Sequence, residues 1–270
     1  MILSFNKYQG TGNDFILVDN RNNTFNLDTK AVRHLCDRRF GIGGDGLMLL
    51  QNKPGYDFEM IYYNSDGNIG SMCGNGGRCI VAFAKHLGLI RNKTVFWGSD
   101  GEHLAEILKF TDHSTNPLKE KIELVKLQMQ DVNKIELVNG NYFINTGSPH
   151  YIKFVKDFEN TDVYNEGKKI RYSDAFKPGG TNVNFVELNT DHIFVRTYER
   201  GVEDETYSCG TGVTASTIAT ALKLNKTEDI QNIKTKGGDL KVYYKKKNES
   251  FTDIWLEGPA TLVYSGIIEI

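Results

Sequence analysis

Residues 72–86, MCGNGGRCIVAFAKH, govern the interpretation of this chain. Cys73-Gly74-Asn75-Gly76 is a polar, glycine-rich turn. From Gly77 onward the apolar positions Ile80, Val81, Phe83, Ala84 and Leu87 recur at helical spacing, and Gly88 stops the pattern. The phrase returns as Cys209-Gly210-Thr211-Gly212, followed by residues 213–224, VTASTIATALKL, and Asn225 as the stop. Small and apolar residues on most faces of that stretch indicate a buried helix wrapped by sheet. A helix start offers unpaired N–H groups and a partial positive charge, which lowers a thiol's pKa and cradles anions. Two thiols placed this way are expected to serve as acid/base groups facing a common ligand.

Short strands surround both phrases. Residues 15–19 (FILVD), 47–50, 58–63 and 94–97 are β-branched or aromatic runs bounded by Gly, Asn and Asp. Asp28 caps a short expected helix through Val32, Leu35 and Cys36 that ends before Gly41. The second half repeats the plan, with strands at 142–145, 151–155, 184–188 and 192–198 before the second cysteine turn. Later strands are expected at 240–244, 252–256 and 261–268. The pattern predicts two similar α+β domains, residues 1–115 and 116–259, divided near the polar stretch Thr111 to Glu120. The strand at 260–270 is a candidate to complete the first domain. A ligand site is expected in a cleft between such domains.

Composition narrows the function. The chain has 270 residues, 39% hydrophobic and 24% charged, with a net charge of −2. This is an ordinary globular balance with no basic face for nucleic acid. The run Lys245-Lys246-Lys247 fits a solvated hairpin tip. The start, MILSFNKYQG, lacks the pattern of a secretory signal, and no segment approaches a membrane span. Four cysteines are then expected as free thiols in the reducing cytoplasm.

Competing readings of the motifs are weaker. Cys36 and Cys79 lie within apolar helical patterns and fit buried hydrophobes. No Cys-x-x-Cys pair exists, so neither a zinc knuckle nor a thioredoxin-type pair is expected. Gly41-Ile42-Gly43-Gly44-Asp45-Gly46 matches the dinucleotide fingerprint as a string, but a helix precedes it and a strand follows, the reverse of what that fingerprint needs. It reads instead as glycine-rich backbone near the ligand. Asn13, Asn64 and Asn182 lie in polar turns beside strands, and the Glu199-Arg200 pair ends a strand. Arg200 can grip a carboxylate with two parallel hydrogen bonds, and His150 could tune a thiol.

The blocks KYQGTGNDF (7–15), RFGIGGDG (39–46), NSDGNIGSMCGNGG (64–77), Gly147 to His150 and residues 198–212 together resemble the diaminopimelate epimerases. Asn75 stands where the related proline racemases carry His. The resemblance implies an α+β fold of two similar domains, each a curled, mostly antiparallel sheet around a central helix, with the active site in the cleft between them. It implies conversion of LL-2,6-diaminopimelate to the meso form by a homodimer, without pyridoxal phosphate, another cofactor or a metal. Carried over by motif, Cys73 and Cys209 are the acid/base pair, with His150 and Glu199 adjusting their pKa values. Asn13, Asn64, Asn182, Glu199 and Arg200 would bind the substrate, with Gly74-Asn75 and Gly210-Thr211 at the helix starts. Three departures bear on the distal end of the substrate. Gly46 stands for Gln of some members, Ser148 stands for Asn of many, and the stretch 199–209 is one residue longer.

The residues suit that chemistry. Epimerisation removes a proton from one face of a carbon and returns one to the other, so it needs a base and an acid. A thiol with a reference pKa near ~8.5 can be moved close to neutrality, so both states are reachable. The helix N-termini would stabilise the carbanionic transition state at the carboxylate. The alternatives are a proline or hydroxyproline epimerase, and a non-catalytic binding or thiol-redox module for a dicarboxylic amino acid.

Overall fold

The computed structural model describes residues 2–108, 122–226 and 228–269. The expected boundary stretch, Thr111 to Glu120, lies outside the described residues. The chain divides into two compact units, Met1–Leu127 with Gly258–Ile270, and Gln128–Glu257. Among the described residues no helix is long and apolar enough to cross a membrane.

The first unit contains β1 (Ile2–Gly10), β2 (Asn13–Asp19), α1 (Thr29–Cys36), β3 (Gly46–Gln51), β4 (Phe58–Asn64), α2 (Gly74–His86), β5 (Lys93–Gly98), β6 (Gly101–Leu108) and β7 (Ile122–Gln128). Residues 258–269 of the last strand pair antiparallel with both β7 and β1, so the eight strands close into a ring. Pairs β2–β3 and β4–β5 are parallel and the other pairs are antiparallel. Closure leaves no free edge and encloses α2, whose residues from Gly74 to Ala84 are all buried.

Both faces of β2 and β3 are covered, which is why they are nearly continuous apolar runs rather than alternating ones. Ile16, Val18, Leu47 and Leu49 pack with Val32, Leu35 and Cys36 of α1. On the other face Met48 reaches α2, where a Cβ on Gly76 would collide with its Cε. Asp28 caps α1 through Ala31 N–H, as its position predicts.

The second unit contains β8 (Ile135–Val138), β9 (Asn141–Asn145), β10 (Pro149–Phe154), α3 (Val163–Arg171), β11 (Asn182–Leu188), β12 (Ile193–Glu199), β13 (Asp204–Thr206), α4 (Gly210–Lys223), β14 (Glu228–Thr235), β15 (Gly238–Lys247) and residues 250–257 of β16 (Ser250–Glu269). The order is β16-β15-β14-β12-β11-β10-β9-β8, with β13 beside β12. Pairs β10–β11 and β12–β14 are parallel. Val213, Ala215, Ile218 and Ala219 of α4 share a core with Ile152, Val186, Val195, Val242 and Phe251. The opposite face, through Val183, Phe185 and Tyr198, packs with Val163 of α3. Each unit is thus a curled sheet around one buried helix, with a second helix outside. Lys245–Lys247 ends β15 at the turn into β16, and Lys245 pairs with Asp253 at 2.9 Å.

Both central helices begin at the first glycine after the cysteine, three residues before apolar spacing starts. The glycines Gly76, Gly77 and Gly212 contribute to no periodic stripe, but added side chains there would overlap neighbours. A Cβ on Gly77 would come 2.5 Å from Met72 Cε.

Candidate active site

In the first unit Cys73 is the N-cap of α2. Its sulfur accepts the Gly76 N–H at 3.5 Å, and its carbonyl accepts the Gly77 N–H at 2.7 Å. The thiol lies 3.7 Å from Asn13 Oδ1, to which it donates. Asn75 Nδ2 donates to the same oxygen at 3.4 Å, and the amide of Asn13 donates to Asp45. Behind them Arg78 is fully buried. Its Nη2 donates to Asn75 Oδ1 at 3.0 Å and to Thr11 Oγ1 at 3.2 Å, and its Nη1 to the Gly74 carbonyl at 3.4 Å. Among the described residues no carboxylate contacts it, and its Nε has no partner. Burial pulls the guanidinium pKa down to about 10, which leaves it charged at neutral pH.

Asp14 follows Asn13 and pairs with Lys7 at 2.7 Å and with Arg38 at 2.5 Å. Burial raises its carboxyl pKa, but the hydrogen bonds and charges of Arg38 and Lys7 outweigh that and hold it at about 2. The glycine loop after α1 spends its N–H groups inward. Those of Ile42 and Gly43 go to the Leu35 carbonyl, and that of Gly44 goes to Cys36. It therefore closes the C-terminus of α1.

Asn64 ends β4, exposed and directly opposite Gly46. No hydrogen bond joins it to the Cys73 group. A Cβ on Gly46 would collide with the ring of Tyr62, and one on Gly70 would come 2.5 Å from that ring and 2.9 Å from Asn64 Oδ1. Tyr62 thus fills the space beside Gly46. Its ring also meets Phe15 edge-on at 6.0 Å.

In the second unit Cys209 is the N-cap of α4 and is buried, and its carbonyl accepts the Val213 N–H at 2.9 Å. Its sulfur lies 3.4 Å from Thr211 Oγ1, which lies 2.9 Å from His150 Nε2. His150 therefore reaches Cys209 through Thr211. Burial pushes the imidazole pKa down to about 3, and the Arg200 charge acts the same way. Asn182 donates to Ser148 Oγ and to the Pro149 carbonyl, both at 2.9 Å, and accepts the Arg200 N–H at 2.8 Å. Ser148 thus anchors the Asn182 amide. Glu199 accepts from Thr206 Oγ1 at 2.8 Å. The longer turn after it is held by Glu203, which accepts from Gly201 N–H, Arg171 and the Tyr172 hydroxyl.

Cys36 and Cys79 are buried, and burial pushes both thiols up to about 12. Among the described residues no group of three or more His, Cys, Asp or Glu is placed to hold a metal ion. Sequence reading missed Arg78, Thr146, Asn184 and Thr197. Asn184 had one available signal, a polar residue between the apolar Val183 and Phe185 in a strand.

The family model for diaminopimelate epimerase matches residues 5–125 and again 142–263. A diaminopimelate epimerase of Flavobacterium psychrophilum is 49% identical over 97% of this chain and 98% of its own length. Among solved structures, the Bacillus anthracis phenazine biosynthesis protein of the PhzF family has a TM-score of 0.78 at 14% identity, covering 100% of both chains. A hydroxyproline epimerase of Agrobacterium vitis has a TM-score of 0.71 at 13% identity, covering 99% of this chain and 92% of its own. The two structures share the fold.

Proposed function

The chain belongs to the diaminopimelate epimerase family, and on that footing we propose that it interconverts LL-2,6-diaminopimelate and the meso form in lysine biosynthesis. The carrying observation is a cysteine at the N-cap of each central helix, within a chain half identical to a curated epimerase. We assign Cys73 and Cys209 as the two acid/base groups. One, as thiolate, takes the α-proton and becomes a thiol. The other, as thiol, delivers its proton to the opposite face and becomes the thiolate, so the roles exchange with direction.

The substrate carboxylate is assigned to the helix starts at Gly74-Asn75 and Gly210-Thr211, whose N–H groups would stabilise charge developing as the proton leaves. Asn13, Asn64, Asn182, Glu199 and Arg200 are assigned to the remaining polar groups of the substrate. In this reading His150 acts on Cys209 through Thr211, and Glu199 tunes the same thiol. No cofactor enters the scheme. A cytoplasmic homodimer is the setting it expects, checked by light scattering on the purified protein.

Incubation with LL-diaminopimelate in deuterated water under reducing conditions tests the proposal. Deuterium at one α-carbon with meso product is the expected result. No incorporation favours a binding or redox module, and exchange on proline or hydroxyproline alone favours the racemase branch.

A further inference from the structure

We infer that Asn184 and Thr197 are positioning residues that lock the His150 ring in one tautomer, leaving the Thr211 hydroxyl as a hydrogen-bond donor to the sulfur of Cys209. The inference rests on the proposal that Cys209 is an acid/base group.

The direction of each bond follows from an acceptor that cannot change its role. The Tyr151 carbonyl only accepts, and Asn184 Nδ2 lies 3.3 Å from it. The Asn184 amide nitrogen therefore faces that carbonyl, and its oxygen takes the Thr197 hydroxyl proton at 2.9 Å. The second Nδ2 proton points to His150 Nδ1 at 3.1 Å. A donor aimed at Nδ1 requires that nitrogen to be unprotonated, so the neutral ring carries its proton on Nε2. Nε2–H then donates to Thr211 Oγ1 at 2.9 Å, and the hydroxyl's own proton is left for Cys209 Sγ at 3.4 Å.

Burial makes this order rigid. His150, Asn184 and Thr197 are all buried, and Thr146 Oγ1 fixes the Thr211 carbonyl at 2.9 Å. Among the described residues no carboxylate contacts the ring, and the charged group that acts on it is Arg200. The ring is neutral, so its tautomer is the property the surroundings can set. Gly212 completes the arrangement. A Cβ there would overlap Asn184 Oδ1 and lie 3.3 Å from His150 Cε1 and from Cys209 Cβ.

The arrangement serves both states of the sulfur. As thiolate, Cys209 receives the Thr211 proton together with the helix-start field. As thiol, it can donate to the second lone pair of the same oxygen while the first stays with His150.

Two measurements test the relay independently of turnover. In ¹⁵N-labelled protein, the His150 ring, assigned by its loss in His150→Asn, should show a protonated Nε2 and a bare Nδ1 from pH 5 to 9. The opposite tautomer or an imidazolium would overturn the inference. Thr197→Val should release the Asn184 amide and bring in the second tautomer. Iodoacetamide alkylation read by mass spectrometry gives the second measurement, with Cys73 as internal reference. Thr211→Val should move the Cys209 midpoint up by about one pH unit and leave Cys73 unmoved, and Thr211→Ser should restore it. An unmoved midpoint in folded Thr211→Val defeats the relay. Absence of α-deuterium exchange in the unmodified protein would defeat the epimerase reading instead, whatever these midpoints do.

Discussion

Arg78 Nη2 donates to Asn75 Oδ1 at 3.0 Å, within one turn of α2, so the residue beside Cys73 is held by a fully buried guanidinium. The bond continues through Asn75 Nδ2 to Asn13 Oδ1, the same oxygen that faces the Cys73 thiol. A buried charge with no carboxylate among the described residues is costly in isolation. Here three oxygen acceptors, of Gly74, Thr11 and Asn75, surround it.

Arg78→Ala should cost about 3 kcal/mol in urea unfolding, because it opens a cavity and strands the Asn75 and Thr11 oxygens. Catalysis should fall further than stability explains, since Asn75 and Asn13 lose their orientation. Wild-type turnover in the folded variant would contradict this.

Cys73→Ala and Cys209→Ala should each lower epimerisation by about a thousandfold or more while leaving the circular dichroism spectrum unchanged. Each variant also isolates one proton transfer. Near-normal formation of the meso product with either thiol absent would refute the two-thiol scheme.

Acid should destabilise the first unit through Asp14. Its carboxyl is held at about 2, below the ordinary value of 3.8. A depressed folded-state pKa contributes stability that is fully present above about pH 4 and is lost as pH falls through about 2. The amount is on the order of 2 kcal/mol. Urea midpoints at pH 5 and pH 3 should drop in the unmodified protein by more than in Asp14→Asn. Equal drops would assign the acid sensitivity elsewhere.

Glu203 holds the turn that carries Arg200, through Arg171, Tyr172 and the Gly201 N–H. Glu203→Gln keeps the shape but weakens the charge pair. KM for diaminopimelate should rise about tenfold with kcat within about twofold, the signature of lost uniform binding. An equal fall in kcat and kcat/KM would instead place Glu203 in the transition state's support.

Much of the fold was legible in local patterns. The runs FILVD and LMLL were recognisable as strands because helices cover both of their faces. Asp28 marked α1 because capping depends on nearest neighbours. The strands β1, β6, β7, β8, β13 and β14 and the helix α3 were missed. In α3 the residues around buried Val163 and Gly167 are mostly polar, so its amphipathic stripe is thin. The expected helix starts fell three residues late, because the first turns carry glycines such as Gly76 and Gly212, where close neighbours rather than helix propensity decide the residue.

By itself the sequence determined the two cysteine turns, the helices that follow them and the family to which the chain belongs, since these depend on residues adjacent in the chain. Only the tertiary structure decided what stands behind each thiol. Arg78 meets Thr11 from 67 positions away, and His150 meets Asn184 from 34 and Thr211 from 61. Curled sheets place those residues under the helix starts. Hydrogen bonding between distant polar side chains leaves no periodic trace in the chain, so the contacts behind Cys209 become visible only once the sheet has curled around α4.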